Sequence, residues 1–216
     1  MTIKLTIGHW SEKERVEAEV EKDVLLMDLA NKFDGIVVGS GNLSELALGW
    51  ATYNGDHMSM YAVNSGVPKT LVRRIVQYVA DTTENAALRA VLTDILHTPV
   101  SPELIPPKGS EIIQRTEDIV GPYELHDFFI YHTLRWGREP KQILDLAKIA
   151  FDGKYHENEI RRRYETFRQR FYSQQFKRSC LPDGPKVGSV SLSPRGGLFM
   201  PSDAVPVTFG GRSEIF

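Results

Sequence analysis

Residues 39–70 read GSGNLSELALGWATYNGDHMSMYAVNSGVPKT, from Gly39 to Thr70, and this order decides the fold. A short apolar run, Gly35-Ile36-Val37-Val38, stops where the stretch begins. A β-branched run over Ile36–Val38 that ends in Gly-Ser-Gly and turns helical from Leu43 to Trp50 predicts a strand–loop–helix unit. In open α/β sheets, ligands sit outside the carboxyl ends of the strands, where such loops lie. After a loop through Asn54-Gly55-Asp56, a second helix is predicted to open at Gly66-Val67-Pro68-Lys69-Thr70. Proline is tolerated in a first turn because its missing N–H would have no partner there.

Outward from this stretch, Thr2 to Ile7 alternate polar and apolar and predict a short strand. Ser11 with Glu14 three residues on is a capping-box pattern, and it opens a helix to about Asn31. Further helices are predicted over 83–97, 123–137, 140–152 and 156–177. In the last, Ile160, Tyr164, Phe167 and Phe171 form an apolar stripe, while Arg161, Arg162, Arg163, Arg168 and Arg170 read as a solvated face interrupted by glutamates. Residues 98–122 hold Pro99, Pro102, Pro106, Pro107 and Pro122 and read as irregular. The segment from Leu181 reads as extended, with a disordered end. Many helices and two or three short strands predict an incomplete parallel sheet, completed by other strands or by another copy.

A chain of 216 residues has room for one large domain or two small ones. The formal charge of -2 gives no global field toward nucleic acid or membrane. No apolar run approaches the roughly 18 residues of a membrane span. The single cysteine, Cys180, excludes an intrachain disulfide, which fits a reducing, cytoplasmic setting. Among the histidines, His126 and His132 do not share a helix face, so no metal site is read from them. Cys180 reads as a small buried hydrophobe.

Several residues in and after the opening stretch have two readings. Glu45 complements a helix dipole, or it is a Mg²⁺ ligand beside nucleotide phosphates. Lys69 opposes the dipole of its helix, so it is a solvated lysine or it faces a phosphate together with free N–H groups. Gly39, Ser40 and Gly41 serve a turn or admit a nucleotide to the backbone. Trp50 and Tyr53 pack, or stack on a ring. Asp56 and His57 sit in ordinary turn chemistry. Lys177 and Arg178 suit a helix C-terminus.

GSGNLSELALGWATYNGDHMSMYAVNSGVPKTLV closely resembles the synthetase domain of bacterial glutamine-dependent NAD(+) synthetase. TEDIVGPYELHDFFIYHTLRWG, FKRSCLPDGPKVGSVSLSPRG and MPSDA resemble that family's carboxyl-terminal segments. The resemblance covers Leu25 to Ala204. It implies an α/β fold: a helix-rich, incomplete part of the doubly wound parallel-sheet ATP-pyrophosphatase fold. It divides the chain into a divergent segment 1–24, a synthetase part 25–204 and a flexible tail 205–216.

The activity so implied is ATP-dependent amidation of deamido-NAD through an adenylate, with ATP and Mg²⁺ and with ammonia supplied directly or from glutamine. By the resemblance, Ser40 and Lys69 bind ATP. Glu45, Trp50, Asp56, His57 and Lys177 bind deamido-NAD, and Glu45 also holds the metal. A homo-oligomer is implied too. The family's SGGxDS phosphate loop and its glutaminase domain have no counterpart in this sequence. Where the family has an asparagine of an ENxQAR-like element, Val16 stands here. The chain alone is therefore expected to turn over weakly or not at all. The alternative is a non-catalytic dinucleotide-binding subunit.

Overall fold

The computed structural model describes residues 12–55, 58–98 and 120–206, the side chains of 12–21 excepted. The strand expected at 2–7, most of the proline-rich segment, Asp56, His57 and the last ten residues lie outside these. The elements run α1 (Glu12–Lys32), β1 (Val38–Gly39), α2 (Leu43–Leu48), β2 (Tyr61–Ala62), α3 (Lys69–Thr82), α4 (Ala86–His97), α5 (Tyr123–Leu134), α6 (Pro140–Ala150), α7 (Glu157–Ser173) and α8 (Gln175–Arg178). The fold is a helix-rich α/β arrangement with a small parallel sheet. Val38 pairs with Tyr61, and Gly39 with Ala62. The strand starts two residues later than the β-branched run suggests and takes Gly39 into the ladder. β2 has no alternation to announce it. The N–H of Ala62 donates to the carbonyl of Asp183 at 2.8 Å, so the chain's later segment lies along the far edge of β2.

The core lies where α2, α5, α6 and α7 meet, around Leu48, Phe129, Ile143 and Phe167. The stripe read on α7 is realised: Ile160, Tyr164, Phe167 and Phe171 are all buried. Phe129 meets Tyr164 edge to face at 5.1 Å between ring centroids, a geometry aromatic quadrupoles favour. The helix expected over 156–177 breaks at Gln174, where φ -99° and ψ 12° leave the helical region. α8 therefore starts afresh and turns its side chains back toward α2. The basic face is not uniformly solvated either: Arg163 and Arg178 are buried.

His126 is wholly buried among these aromatic rings. Its Nε2–H donates to the carbonyl of Val120 at 2.7 Å, which fixes the tautomer. Its Nδ1 has no hydrogen-bond partner among the described residues. Burial pushes its pKa down from the ordinary 6.5 to about 4. The folded state then stays neutral where the unfolded chain takes a proton. Stability is full above pH 6.5 and falls as pH drops toward 4, by about 3 kcal/mol at 1.36 kcal/mol per unit. Urea titrations between pH 7 and pH 4 check this: His126→Leu should flatten that acid limb, whatever its stability at neutral pH.

α3 and α4 pack on each other as a hairpin, yet Leu71, Ile75 and Tyr78 of α3 and Leu88, Val91 and Ile95 of α4 are exposed. Leu88, Val91 and Ile95 thus leave an apolar face of α4 open in the structure.

Candidate functional site

The site is organised around α2, a helix of six residues with one set of contacts at each end. At its start, Asn42 Oδ1 accepts from the N–H groups of Ser44 and Glu45, each at 3.1 Å. Glu45 Oε2 accepts from the Asn42 N–H at 3.3 Å, which completes a capping box. Glu45 Oε1 accepts from Lys69 Nζ at 2.8 Å. Lys69 opens α3, so the beginnings of α2 and α3 lie side by side, and the Leu43 N–H donates to Val67 O at 3.0 Å. The ammonium of Lys69 also stands 5.8 Å from the centre of the Tyr123 ring. An acid at one helix start thus offsets the unfavourable lysine at the other.

The first turn of α3 differs from the expectation of free N–H groups awaiting a phosphate. The Lys69 N–H donates to Ser44 Oγ at 2.8 Å, and the Thr70 N–H donates to Asp127 Oδ2 at 3.1 Å. The next two, of Leu71 and Val72, donate to Pro68 O. All four have protein acceptors, so what remains of the anion site is the Lys69 ammonium. Thr70 Oγ1 also donates to Asp127 Oδ2, at 2.6 Å, and Ser44 Oγ donates to Asp127 Oδ1. Burial pushes the Asp127 pKa up, and the bonds from Ser44 and Thr70 work against that rise.

Three cations close the other end of α2. Arg178 Nη1 donates to Leu46 O at 3.2 Å and to Ala47 O at 2.8 Å. Arg170 Nε donates to Leu48 O at 2.8 Å. Lys177 Nζ donates to Gly49 O at 3.0 Å and to Ala51 O at 2.6 Å. Positive charge is favourable at a helix C-terminus, and here it also supplies donors to the last carbonyls of the helix. Arg178 further donates to Phe171 O and, through Nε, to Gln175 Oε1 at 2.8 Å. Burial lowers its pKa to about 10, which leaves it charged at neutral pH. The Arg170 guanidinium lies 5.1 Å from the half-buried Trp50 ring, and Tyr53 meets Phe176 at 5.4 Å.

The residues expected at the site are thus gathered in two groups. Glu45 and Lys69 touch. Trp50 and Lys177 lie at the opposite end of α2 from Glu45. Ser40 is exposed in the loop ahead of α2, and its carbonyl accepts from Asn64 Nδ2 at 3.4 Å. Gly39 serves packing, since a Cβ there would stand 3.0 Å from Ser59 Cβ. Beside Gly41 the nearest atom to a Cβ would be 3.9 Å away, which leaves room for a close approach. An open cleft of about 590 Å³ borders the site through Thr70 and Asp127, with Arg73, Arg74, Glu124 and Phe151 also in its walls, and includes none of Glu45, Trp50 or Lys177.

Asp127 is not singled out by the sequence, which marks Arg170 only as part of a solvated face and Arg178 only as a charge at a helix end. A signal for Asp127 existed: one carboxylate inside the aromatic helix LHDFF, three residues before the buried Ile130. The buried reading of Cys180 is corrected: it is exposed, and its Sγ donates to Lys177 O at 3.2 Å. Among the described residues no group of three or more His, Cys, Asp or Glu could hold a metal ion. Glu45 is a single carboxylate already paired with an ammonium, so the described residues do not form a resident metal site. Among the described residues no helix is long and apolar enough to cross a membrane.

Short parallel strands, a glycine loop opening a capped helix, and an acid–lysine pair at two helix starts define an α/β architecture with a loop-borne site. The model of the NAD synthase family matches residues 12–123, and the chain belongs to that family. The glutamine-dependent NAD(+) synthetase of Mycobacterium leprae (strain TN) is 45% identical over 210 residues, covering 88% of this chain and 31% of that protein. That of Acinetobacter baylyi (strain ATCC 33305 / BD413 / ADP1) is 30% identical over 176 residues, covering 80% of this chain and 28% of that protein. The chain thus spans about a third of the length of the curated relatives it matches. A solved glutamine-dependent NAD(+) synthetase from Cytophaga hutchinsonii shares the fold, with TM-score 0.65 over 87% of this chain and 28% of that one, at 18% identity.

Proposed function

We propose that this chain supplies the deamido-NAD-facing part of a glutamine-dependent NAD(+) synthetase, within a doubly wound parallel-sheet ATP-pyrophosphatase fold. The observation that carries this reading is the Glu45–Lys69 ion pair across the adjoining starts of α2 and α3. In the reaction, ATP adenylates the nicotinate carboxylate of deamido-NAD, and ammonia then displaces AMP to leave the amide of NAD. A carboxylate resists attack by ammonia, and the adenylate removes that resistance by providing a leaving group. Mg²⁺ enters as part of the substrate Mg-ATP and offsets charge on the departing pyrophosphate.

In this reading Glu45 accepts hydrogen bonds from the dinucleotide, and Lys69 meets a phosphate when it leaves Glu45. Trp50 offers a stacking face, and Lys177 meets the dinucleotide beside the Trp50 loop. Ser40 stands at the ATP, and Asp56 and His57 bind the dinucleotide. For Glu45 to hold Mg²⁺, Lys69 must first swing away. Self-association belongs to the same reading and is supported by the exposed apolar face of α3 and α4. A cytoplasmic setting fits the single cysteine.

Calorimetric titration with deamido-NAD tests the reading. Binding is expected, and Glu45→Gln should weaken it about tenfold or more, the worth of one charge-assisted hydrogen bond. No heat of binding at millimolar deamido-NAD would overturn it. A second reading, a dinucleotide-binding subunit without turnover, is favoured by the full occupation of the α3 N–H groups, which leaves little backbone for a triphosphate. NAD formation from deamido-NAD, Mg-ATP and ammonia, measured with the remaining part of a synthetase added to this chain, separates the two: turnover supports the first and binding without turnover the second.

A further inference from the structure

We propose that Asp127 is a positioning residue for the Glu45–Lys69 pair: from α5 it ties the starts of α2 and α3 together and thereby fixes the carboxylate and the ammonium that face the dinucleotide. What the pair faces rests on the function proposed above; the tie itself does not.

A carboxylate partly withdrawn from water, as Asp127 is, must be neutralised or held by donors. Asp127 has no cationic partner among the described residues, and its donors are the hydroxyl of Ser44 together with the N–H and hydroxyl of Thr70. All of them belong to the two helix starts. α3 needs such a partner because its own cap position is Pro68, which has no side-chain acceptor. Asp127 therefore caps α3 from another helix and places negative charge at its positive end. Ser44 Oγ works in both directions: it accepts from the Lys69 N–H at 2.8 Å and donates to Asp127. Ser44 precedes Glu45 in the chain, and Thr70 follows Lys69. The two held residues are thus the immediate neighbours of the two that form the ion pair.

The test measures the coupling between Glu45 and Lys69 by a double-mutant cycle in urea, with Glu45→Gln, Lys69→Met and both together. The cycle is then repeated in the Asp127→Asn background. The coupling is expected to fall on Asp127→Asn, because the amide replaces one of the two acceptor oxygens, which bind Ser44 and Thr70 separately, with an NH2 donor. Thr70→Ser, which keeps both donors, should leave it intact. A merely structural Asp127 would lower stability in every arm and leave the coupling unchanged, and that result would overturn the proposal. If Asp127→Asn does not fold, Ser44→Ala breaks the same relay and carries the same comparison.

Deamido-NAD titration gives the second readout. Asp127→Asn should weaken binding about tenfold and add no further loss on top of Lys69→Met; full additivity overturns the proposal. If the wild-type chain does not bind deamido-NAD, the proposed function fails, while the urea cycle still decides the role of Asp127.

Discussion

Arg178→Met is expected to lower the stability of the fold by about 3–5 kcal/mol, the usual result of removing one side of a buried charged network. Methionine fills much of the volume but donates nothing. The carbonyls of Leu46, Ala47 and Phe171 would lose their shared donor inside the core. The amide oxygen of Gln175 would lose its partner as well. Against a typical domain stability of about 5–15 kcal/mol, such a loss is a large share. For a chain of this size it shifts the melting midpoint by about 10 °C or more. Arg178→Lys should recover part of the loss, since an ammonium can serve one or two of the carbonyls but not the fork. Thermal unfolding followed by circular dichroism checks both. A shift below 2 °C for Arg178→Met would show that these carbonyls find other donors.

Gly49→Ala is the second large effect. Gly49 adopts φ 57°, where any other L-residue pays about 1–2 kcal/mol. A Cβ there would also stand 2.7 Å from Gln174 Cγ and closer still to Gln174 Cβ. The clash falls on the root of a side chain at the break between α7 and α8, which cannot swing aside. Overpacking of this kind adds about 1–3 kcal/mol. The variant should therefore lose about 2–5 kcal/mol by urea titration. It should also displace the carbonyls of Gly49 and Ala51 that hold Lys177, together with Trp50 between them. Weaker deamido-NAD binding together with lower stability is the expected pair of results. Wild-type stability would mean that α7 and α8 can part at Gln174 at little cost.

The two positions also show which parts of the structure local sequence could reveal. The stripe on α7 was legible because Ile160, Tyr164, Phe167 and Phe171 repeat at helical spacing and one face must be buried. The start of α3 was legible from Pro68, and that of α2 from the glycine loop. Each of these signals is completed within one turn or one helix. Arg178 was read as a surface cation near a helix end because its partners, the carbonyls of Leu46 and Ala47, are 132 and 131 residues away in the chain. Carbonyls leave no trace in residue type, so nothing local marks a guanidinium that will bind them. Asp127 was hidden for the same reason, its donors being 83 and 57 residues distant. The break at Gln174 has no proline or glycine to announce it, and it follows from where α8 must point.

The pairing of Glu45 with Lys69 lay between these cases. Each residue was legible as a first-turn charge of uncertain purpose, and only the adjacency of the two helix starts joins them. The expectation of open N–H groups at α3 failed because it treated the helix as isolated. In the fold, Ser44 and Asp127 reach those groups first.

The contact between Ala62 and Asp183 gives the two-stranded ribbon a direction of growth. One flank of β2 is taken by β1 and the other by the segment around Asp183, so further ladder bonds have nowhere to form there. Val38 of β1, more than half exposed, borders the flank still able to accept a neighbour. A strand recruited to this sheet, from whatever polypeptide, finds the side of Val38 open and meets the Asp183 segment on the other.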